Sequence, residues 1–208
     1  MLTILVANIK GGCGKTTIAT HLAAAFATAG KTTVLADVDR QKSSLGWLER
    51  RPAGAAHLVG VDWTKDLDNV PKGAARLVID APAALKTKQI EELVKLADLI
   101  VLPVLPSTFD ELATRRFLDK LEELKPIAKN KKAVAVVGNR LRARTKSADR
   151  LDDFLDGVGH TVVTRLRDTQ LYADVAATGL SLFDLNGKRV GDYRSDWDPL
   201  LEYIDQIQ

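Results

Sequence analysis

Residues 2–22 leave few folds open to this chain. An apolar run, Leu2-Thr3-Ile4-Leu5-Val6-Ala7, leads directly into Asn8-Ile9-Lys10-Gly11-Gly12-Cys13-Gly14-Lys15-Thr16-Thr17, and a helical apolar period follows from Ile18. The pattern reads as strand, phosphate loop, helix. Gly11, Gly12 and Gly14 allow successive backbone N–H groups to turn onto phosphate oxygens. Lys15 reaches the terminal phosphates, and the Thr16 hydroxyl can sit on Mg²⁺. A flexible glycine-rich turn without a ligand would explain neither the lysine nor the hydroxyl pair Thr16 and Thr17. The strict spacing of such a loop, Gly-x-x-x-x-Gly-Lys-[Ser/Thr], places glycine at position 9, where this chain has Ile9, and Lys10 takes over the start of the loop.

The remaining pattern predicts an α/β fold built around that loop. Ile18, Leu22, Ala25, Phe26 and Ala29 recur at helical spacing up to Gly30, and Lys31–Ala36 reads as a second strand ending in Asp37-Val38-Asp39. In an open α/β sheet the carboxyl ends of parallel strands line one crevice, which brings Asp37 and Asp39 towards the phosphate loop. A solvated strand end with helix-capping carboxylates is the alternative. Ser43–Arg51 reads as a helix stopped by Pro52, and His57–Val61 as a short strand, with His57 a surface or packing residue. Ala75–Ile79 is a buried strand ending in Asp80-Ala81-Pro82, the place where a Mg²⁺-linked carboxylate is expected, or else a turn-forming aspartate.

Further along, Thr87–Leu96 is a helix, Asp98–Val104 a strand broken by Pro103 and Pro106, Phe109–Ile127 one long helix, and Ala133–Val137 the next strand. A strand near His160–Val163, a helix over Asp168–Thr178 and a last helix over Trp197–Ile207 follow. His160 and Tyr172 read as packing residues. Strands alternating with helices at this spacing imply a doubly wound, mostly parallel sheet with helices on both faces, and 208 residues suit a single domain.

Composition narrows the function classes. Hydrophobic residues are 46% and charged residues 27% of the chain, with no run long enough to span a bilayer and no export signal, so a cytoplasmic protein is expected. Cys13 is the only cysteine, which excludes an internal disulfide and a metal cluster held by several thiolates of one chain. Its place near a helix start and Lys15 predicts a lowered thiol pKa. A net charge of +3 is mild, so affinity for a polyanion has to come from clustering. One cluster is dense: Arg140, Arg142, Arg144 and Lys146 lie in the turn Gly138–Lys146, with Arg150, Arg165 and Arg167 beyond it. It reads either as solvated surface or as a phosphate-backbone contact. The last helix sets Trp197, Leu200, Leu201, Ile204 and Ile207 against Asp196, Asp198, Glu202 and Asp205, whereas a membrane-surface helix carries Lys or Arg on its polar face.

In combination the motifs resemble those of the ParA/MinD deviant Walker ATPases. They run in order through Lys10–Thr17, Asp37-Val38-Asp39-x-Gln41, Asp80-x-Pro82, Ala97-Asp98 through Pro103 and Pro106 to Asp110, and Asn139-Arg140. The resemblance spans nearly the whole chain and is greatest to the small ParA type without an N-terminal helix-turn-helix domain. It implies ATP and Mg²⁺ as cofactors, and slow, partner-stimulated hydrolysis of ATP to ADP and phosphate. Lys15 would bind phosphates in its own subunit. Lys10 would reach across a nucleotide-sandwiched homodimer. Thr16 would ligate Mg²⁺ directly and Asp80 through water. Asp39 would orient the attacking water, with Asp37 supporting the metal shell or the water, two roles left unranked. Asn139 would contact the adenine edge. Arg40, where the family usually has proline, and Ala83 after Pro82 depart from the pattern without removing a catalytic group.

The function so implied is a partitioning or positioning ATPase that dimerises on ATP, binds nonspecific DNA on the nucleoid, and is released by a ParB-like or other adaptor. The DNA face would draw on Arg140, Arg142, Arg144, Lys146, Arg165 and Arg167, and no membrane partner is expected. A MinD-like membrane-cycling ATPase and a dethiobiotin-synthetase-like metabolic enzyme are the alternatives. The cargo is open: plasmid, chromosome, chemoreceptor array or microcompartment.

Overall fold

A computed structural model of the chain describes residues 1–129 and 131–207. Five of its strands are near-continuous apolar runs: β1 (Leu2–Val6), β2 (Thr33–Asp37), β4 (Arg76–Asp80), β5 (Leu99–Val104) and β6 (Ala133–Leu141). The shorter β3 (Val59–Asp62) and the more exposed β7 (Thr161–Arg167) form the edges. All pairings among the described residues are parallel, in the order β3-β2-β4-β1-β5-β6-β7. A parallel sheet buried on both faces needs such apolar strands, since helices cover each side.

The helices divide between the faces as the strand alternation requires. Ile4 and Val6 pack with α1 (Lys15–Thr28), α2 (Ser43–Glu49) and, near the chain's end, Trp197, Leu200 and Ile204. Leu5 and Ala7 pack on the opposite side with α3 (Thr87–Leu96), α4 (Thr108–Glu122) and the helix Lys146–Asp156. β1 lies between β4 and β5, yet the chain passes from β1 to β2 and returns only later on the other side. This reversal opens a crevice above the carboxyl end of β1, where open α/β sheets bind ligands.

Several sequence expectations change in the structure. The long helix stops at Glu122, and a short α5 (Lys125–Ala128) restarts after Leu124, with a proline in its first turn. Pro126 has no N–H to continue the helix, and its ring crowds the preceding turn. β5 runs through Pro103 to Val104, because β1 pairs with it only as far as Val101. The missing N–H therefore faces no strand, and the Pro103 carbonyl accepts the Asn8 amide instead, at 2.8 Å. The turn expected from Gly138 is strand as far as Leu141, which pairs with Arg167 beyond a bulge at Asn139 and Arg140. The bulge conceals the strand, since it breaks the alternation of side chains. The strand near His160 likewise extends through Arg165 to Arg167, and the next helix, α7 (Leu171–Ala177), begins later than expected. After α6 (Lys146–Asp156) and α7, the chain adds a further helix α8 (Lys188–Arg194) with no buried residue before α9 (Asp198–Gln206).

Candidate functional site

The phosphate loop leaves β1 at a fixed angle because Asn8 ties it to two neighbours. The Asn8 amide donates to the Pro103 carbonyl and to Thr114 Oγ1 at 3.0 Å, while its Oδ1 accepts the Lys10 N–H at 3.1 Å. Gly12 and Gly14 have φ of 78° and 97°, a left-handed backbone that only glycine adopts without strain. No side chain caps α1, so the N–H groups of its first turn are free to meet an anion, which the helix dipole also favours. Lys15 is buried, and its ammonium donates to the Lys10 carbonyl at 2.9 Å, closing the loop on itself. Gly11 and Gly12 are exposed, and Lys10, Thr16 and Thr17 are half-buried around the loop.

Cys13 does not match its expectation. The thiol is fully buried and donates to the Lys10 carbonyl, and burial pushes its pKa up against the opposing pull of Lys15. Desolvation of a thiolate outweighs one nearby cation here.

Asp37 and Asp80, both buried, end β2 and β4 side by side in register, and β1 pairs with β4 up to Asp80. The two carboxylates nevertheless do different things. Asp37 accepts the Asp39 N–H at 2.9 Å through one oxygen. Through the other it accepts the Ser44 N–H at 2.9 Å, the Ser44 hydroxyl at 2.7 Å and the Leu45 N–H at 3.2 Å. Its lone pairs thus hold the Asp39 loop and the start of α2. Asp39 is half-buried, and among the described residues its carboxylate accepts only the Gln41 N–H, at 3.0 Å. Asp80 keeps an Oδ1 with no hydrogen-bond partner among the described residues. Burial pushes its pKa up to about 7, the Asp37 charge adds to this, and the Thr16 and Ser44 hydroxyls and the Lys15 ammonium oppose it. A buried acceptor without a donor is costly, and the Thr16 hydroxyl of the phosphate loop is among the groups that act on this carboxyl.

The later candidates separate into two groups. Asn139 is buried: its amide donates to the Cys13 carbonyl at 2.8 Å and its Oδ1 accepts the Arg140 N–H at 2.9 Å. Both ends of the side chain expected at the adenine edge are thus engaged within the chain. Arg140, Arg142, Arg144 and Lys146 are exposed, Arg140 and Arg144 with φ of 54° and 62°. Arg142 pairs with Asp168 at 2.7 Å, Arg165 pairs with Asp152, and Arg167 pairs with Asp196 at 2.8 Å while its guanidinium lies 4.8 Å from the centre of the Tyr193 ring. Sequence reasoning gave no role to Asn8, Thr114 or Ser44. Ser44 lies seven residues from Asp37 and Thr114 lies 106 residues from Asn8, separations that carry no local signal.

Comparison with known proteins shows the family and the fold. The chain is 30% identical over 212 residues to a "maintenance of carboxysome distribution protein A" of Halothiobacillus neapolitanus, covering 99% of this chain and 95% of that protein. Its fold is similar to an ATP complex of a Cyanothece McdA variant, with a TM-score of 0.75 at 17% identity over 100% of this chain and 96% of that one. It is also similar to the cell-division protein MinD of Aquifex aeolicus, with a TM-score of 0.73 at 18% identity over 97% of each chain. A family profile described as the CobQ/CobB/MinD/ParA nucleotide-binding domain matches residues 4–182. With that profile spanning most of the sequence, and with the phosphate loop and its facing carboxylates at the carboxyl edge of the sheet, the chain belongs to the CobQ/CobB/MinD/ParA nucleotide-binding domain family.

Proposed function

We propose that this protein is a ParA-type positioning ATPase that hydrolyses ATP to ADP and phosphate. In this reading it dimerises around ATP, holds to nonspecific DNA of the nucleoid, and lets go when an adaptor accelerates hydrolysis. The observation that carries the reading is the meeting, at one edge of the sheet, of a loop opened by Lys10 with Asp39 and the partnerless oxygen of Asp80. A large cargo of the carboxysome kind is favoured by the full-length likeness to a carboxysome distribution protein.

The residues fit a hydrated Mg²⁺: the Thr16 hydroxyl would ligate it directly, and the Asp80 oxygen that lacks a donor would hold it through water. When bound, the ion supplies positive charge to the phosphate oxygens. The chain's own groups do the rest. Lys15 exchanges the Lys10 carbonyl for the terminal phosphates, and the uncapped start of α1 adds N–H donors. Lys10 of a second copy adds a cation where charge develops, which is electrostatic stabilisation of the transferring group. Asp39, with lone pairs to spare, orients the attacking water. Asp37, with its lone pairs taken by Asp39, Ser44 and Leu45, holds the Asp39 loop in place.

A membrane-cycling role is disfavoured by α9, which exposes Asp198, Glu202 and Asp205 and would be repelled by anionic lipid. Among the described residues no helix is long and apolar enough to cross a membrane. The test is the ATPase rate of the purified chain alone, with DNA, and with DNA plus a candidate adaptor. A low basal rate that rises only when both are present is expected. A high rate that depends on a small-molecule acceptor would replace this reading with a metabolic phosphoryl transfer.

A further inference from the structure

Within the proposed reading, the structure separates the basic residues near the carboxyl edge by what already neutralises them. Arg142, Arg165 and Arg167 each face a carboxylate, of Asp168, Asp152 and Asp196, and Arg150 faces Glu111 at 3.2 Å. Arg167 is further held through the Asp192 carbonyl and the Tyr193 ring. Each such pair is locally neutral, and a phosphate that takes the arginine must first displace the carboxylate. Arg140, Arg144 and Lys146 are exposed and have no carboxylate partner among the described residues. They lie on one short stretch that leaves the β6 bulge and enters α6. Arg140 and Arg144 keep a left-handed backbone there, although an arginine adopts it at a cost.

We propose that the phosphate contacts to duplex DNA are made by Arg140, Arg144 and Lys146, and that Arg142, Arg165 and Arg167 are structural ion pairs that do not take part. This rests on the DNA-binding reading given above and narrows it from six cations per protomer to three. A duplex suits the stretch better than a lipid surface. No exposed large apolar side chain belongs to residues 138–150 themselves, while Phe109 and Leu112, exposed on α4, flank the Glu111 that Arg150 reaches, so binding to anionic vesicles is the outcome that competes with duplex binding in the test below.

Counterion release makes the distinction measurable. Each phosphate neutralised on B-DNA contributes a slope of about −0.9 in log affinity against log salt concentration. Three contacts per protomer give a dimer a slope of about −5, whereas six give about −11. The experiment titrates a random-sequence duplex with the full chain and ATP at several salt concentrations. It is repeated with R140A/R144A/K146A and with R165Q/D152N, which removes an arginine and its carboxylate together and leaves the local charge balanced. Expected are a slope near −5 for the parent, loss of most binding and of the slope in the triple variant, and a parent-like slope in the pair variant. Circular dichroism and ATP-dependent dimerisation establish that the triple variant is folded. A slope near −11, a triple variant that binds like the parent, or a pair variant with a flattened slope would overturn the assignment while leaving the DNA-binding reading intact. No ATP-dependent DNA binding by the parent, or binding to anionic vesicles in its place, would overturn that reading and this inference with it.

Discussion

The His21 ring sits inside α1 with 1% exposure, stacked on Trp197 at 5.2 Å between centroids and edge-on to Tyr172 at 5.1 Å. Nδ1 lies 2.8 Å from the Thr17 carbonyl, which can only accept, so Nδ1 carries the proton of the neutral ring. Nε2 then holds a buried lone pair without a partner among the described residues. Burial lowers the pKa to about 4, against an ordinary value of 6.5. The sign follows directly: the fold favours the neutral ring, so this contribution is complete above pH 6.5 and is lost as pH falls from 6.5 to about 4. The full span corresponds to up to about 3 kcal/mol. Urea unfolding at pH 7.5 and at pH 5 is expected to show a stability loss that His21→Phe largely removes, since phenylalanine keeps the stack and cannot protonate. An unchanged pH dependence in His21→Phe would assign the acid sensitivity elsewhere. Asp80 pulls the other way. Its pKa is raised to about 7, so the ligand-free fold prefers the neutral carboxyl and loses stability as pH rises from the unfolded value near 3.8 towards 7. A site that stores this cost in the free protein gains from any cation that relieves it.

At the scale of elements, the phosphate loop and the β6 bulge are one unit. Asn139 supports the Cys13 carbonyl from behind, and it lies so close to Gly14 that a Cβ there would stand 2.2 Å from Asn139 Nδ2. Asn139→Ala leaves a buried carbonyl without a donor, which costs about 1–3 kcal/mol. Gly14→Ala combines that clash with strain at φ 97° and is expected to cost more. In the double variant the Cβ gains room but the backbone strain persists. Its loss, read by denaturant unfolding, is therefore expected to be smaller than the two single losses together. Strict additivity would mean that the two elements do not act as one. This coupling marks where sequence reading ends. The loop, Asp37, Asp39, Asp80 and the parallel sheet are legible because each lies in a local pattern: apolar strand, then glycine or acid. The strand beyond Gly138 is not, because its bulge interrupts the period, and the break at Pro126 is masked because apolar residues continue past it. The separation of paired from unpaired arginines could not be read at all. Arg142 meets a carboxylate 26 residues away and Arg167 one 29 residues away, and only the fold creates those pairs.

At the scale of the whole molecule, the phosphate loop begins with a half-buried lysine, Lys10, and also contains a buried one, Lys15. Lys15 is 8% exposed and bound to the carbonyl of Lys10, within reach of a phosphate in its own crevice. Lys10 is half-buried, and its backbone is committed on both sides, its N–H to Asn8 and its carbonyl to Lys15 and Cys13. The backbone is fixed while no ion pair claims the ammonium among the described residues, an arrangement suited to presenting a cation outward. If Lys15 acts in its own subunit and Lys10 in another, the two alanine variants part company. Lys15→Ala is expected to bind a fluorescent ATP analogue at least tenfold more weakly and, for that reason, to remain monomeric. Lys10→Ala is expected to bind the analogue within a few-fold of the parent. It should nevertheless fail to double its mass with ATP in light scattering and show no adaptor-stimulated hydrolysis. A Lys10→Ala chain that dimerises and hydrolyses like the parent would remove the second copy from the mechanism. The loop would then have to be complete within one subunit, and a cation other than Lys10 would have to meet the charge that develops on the transferring phosphate.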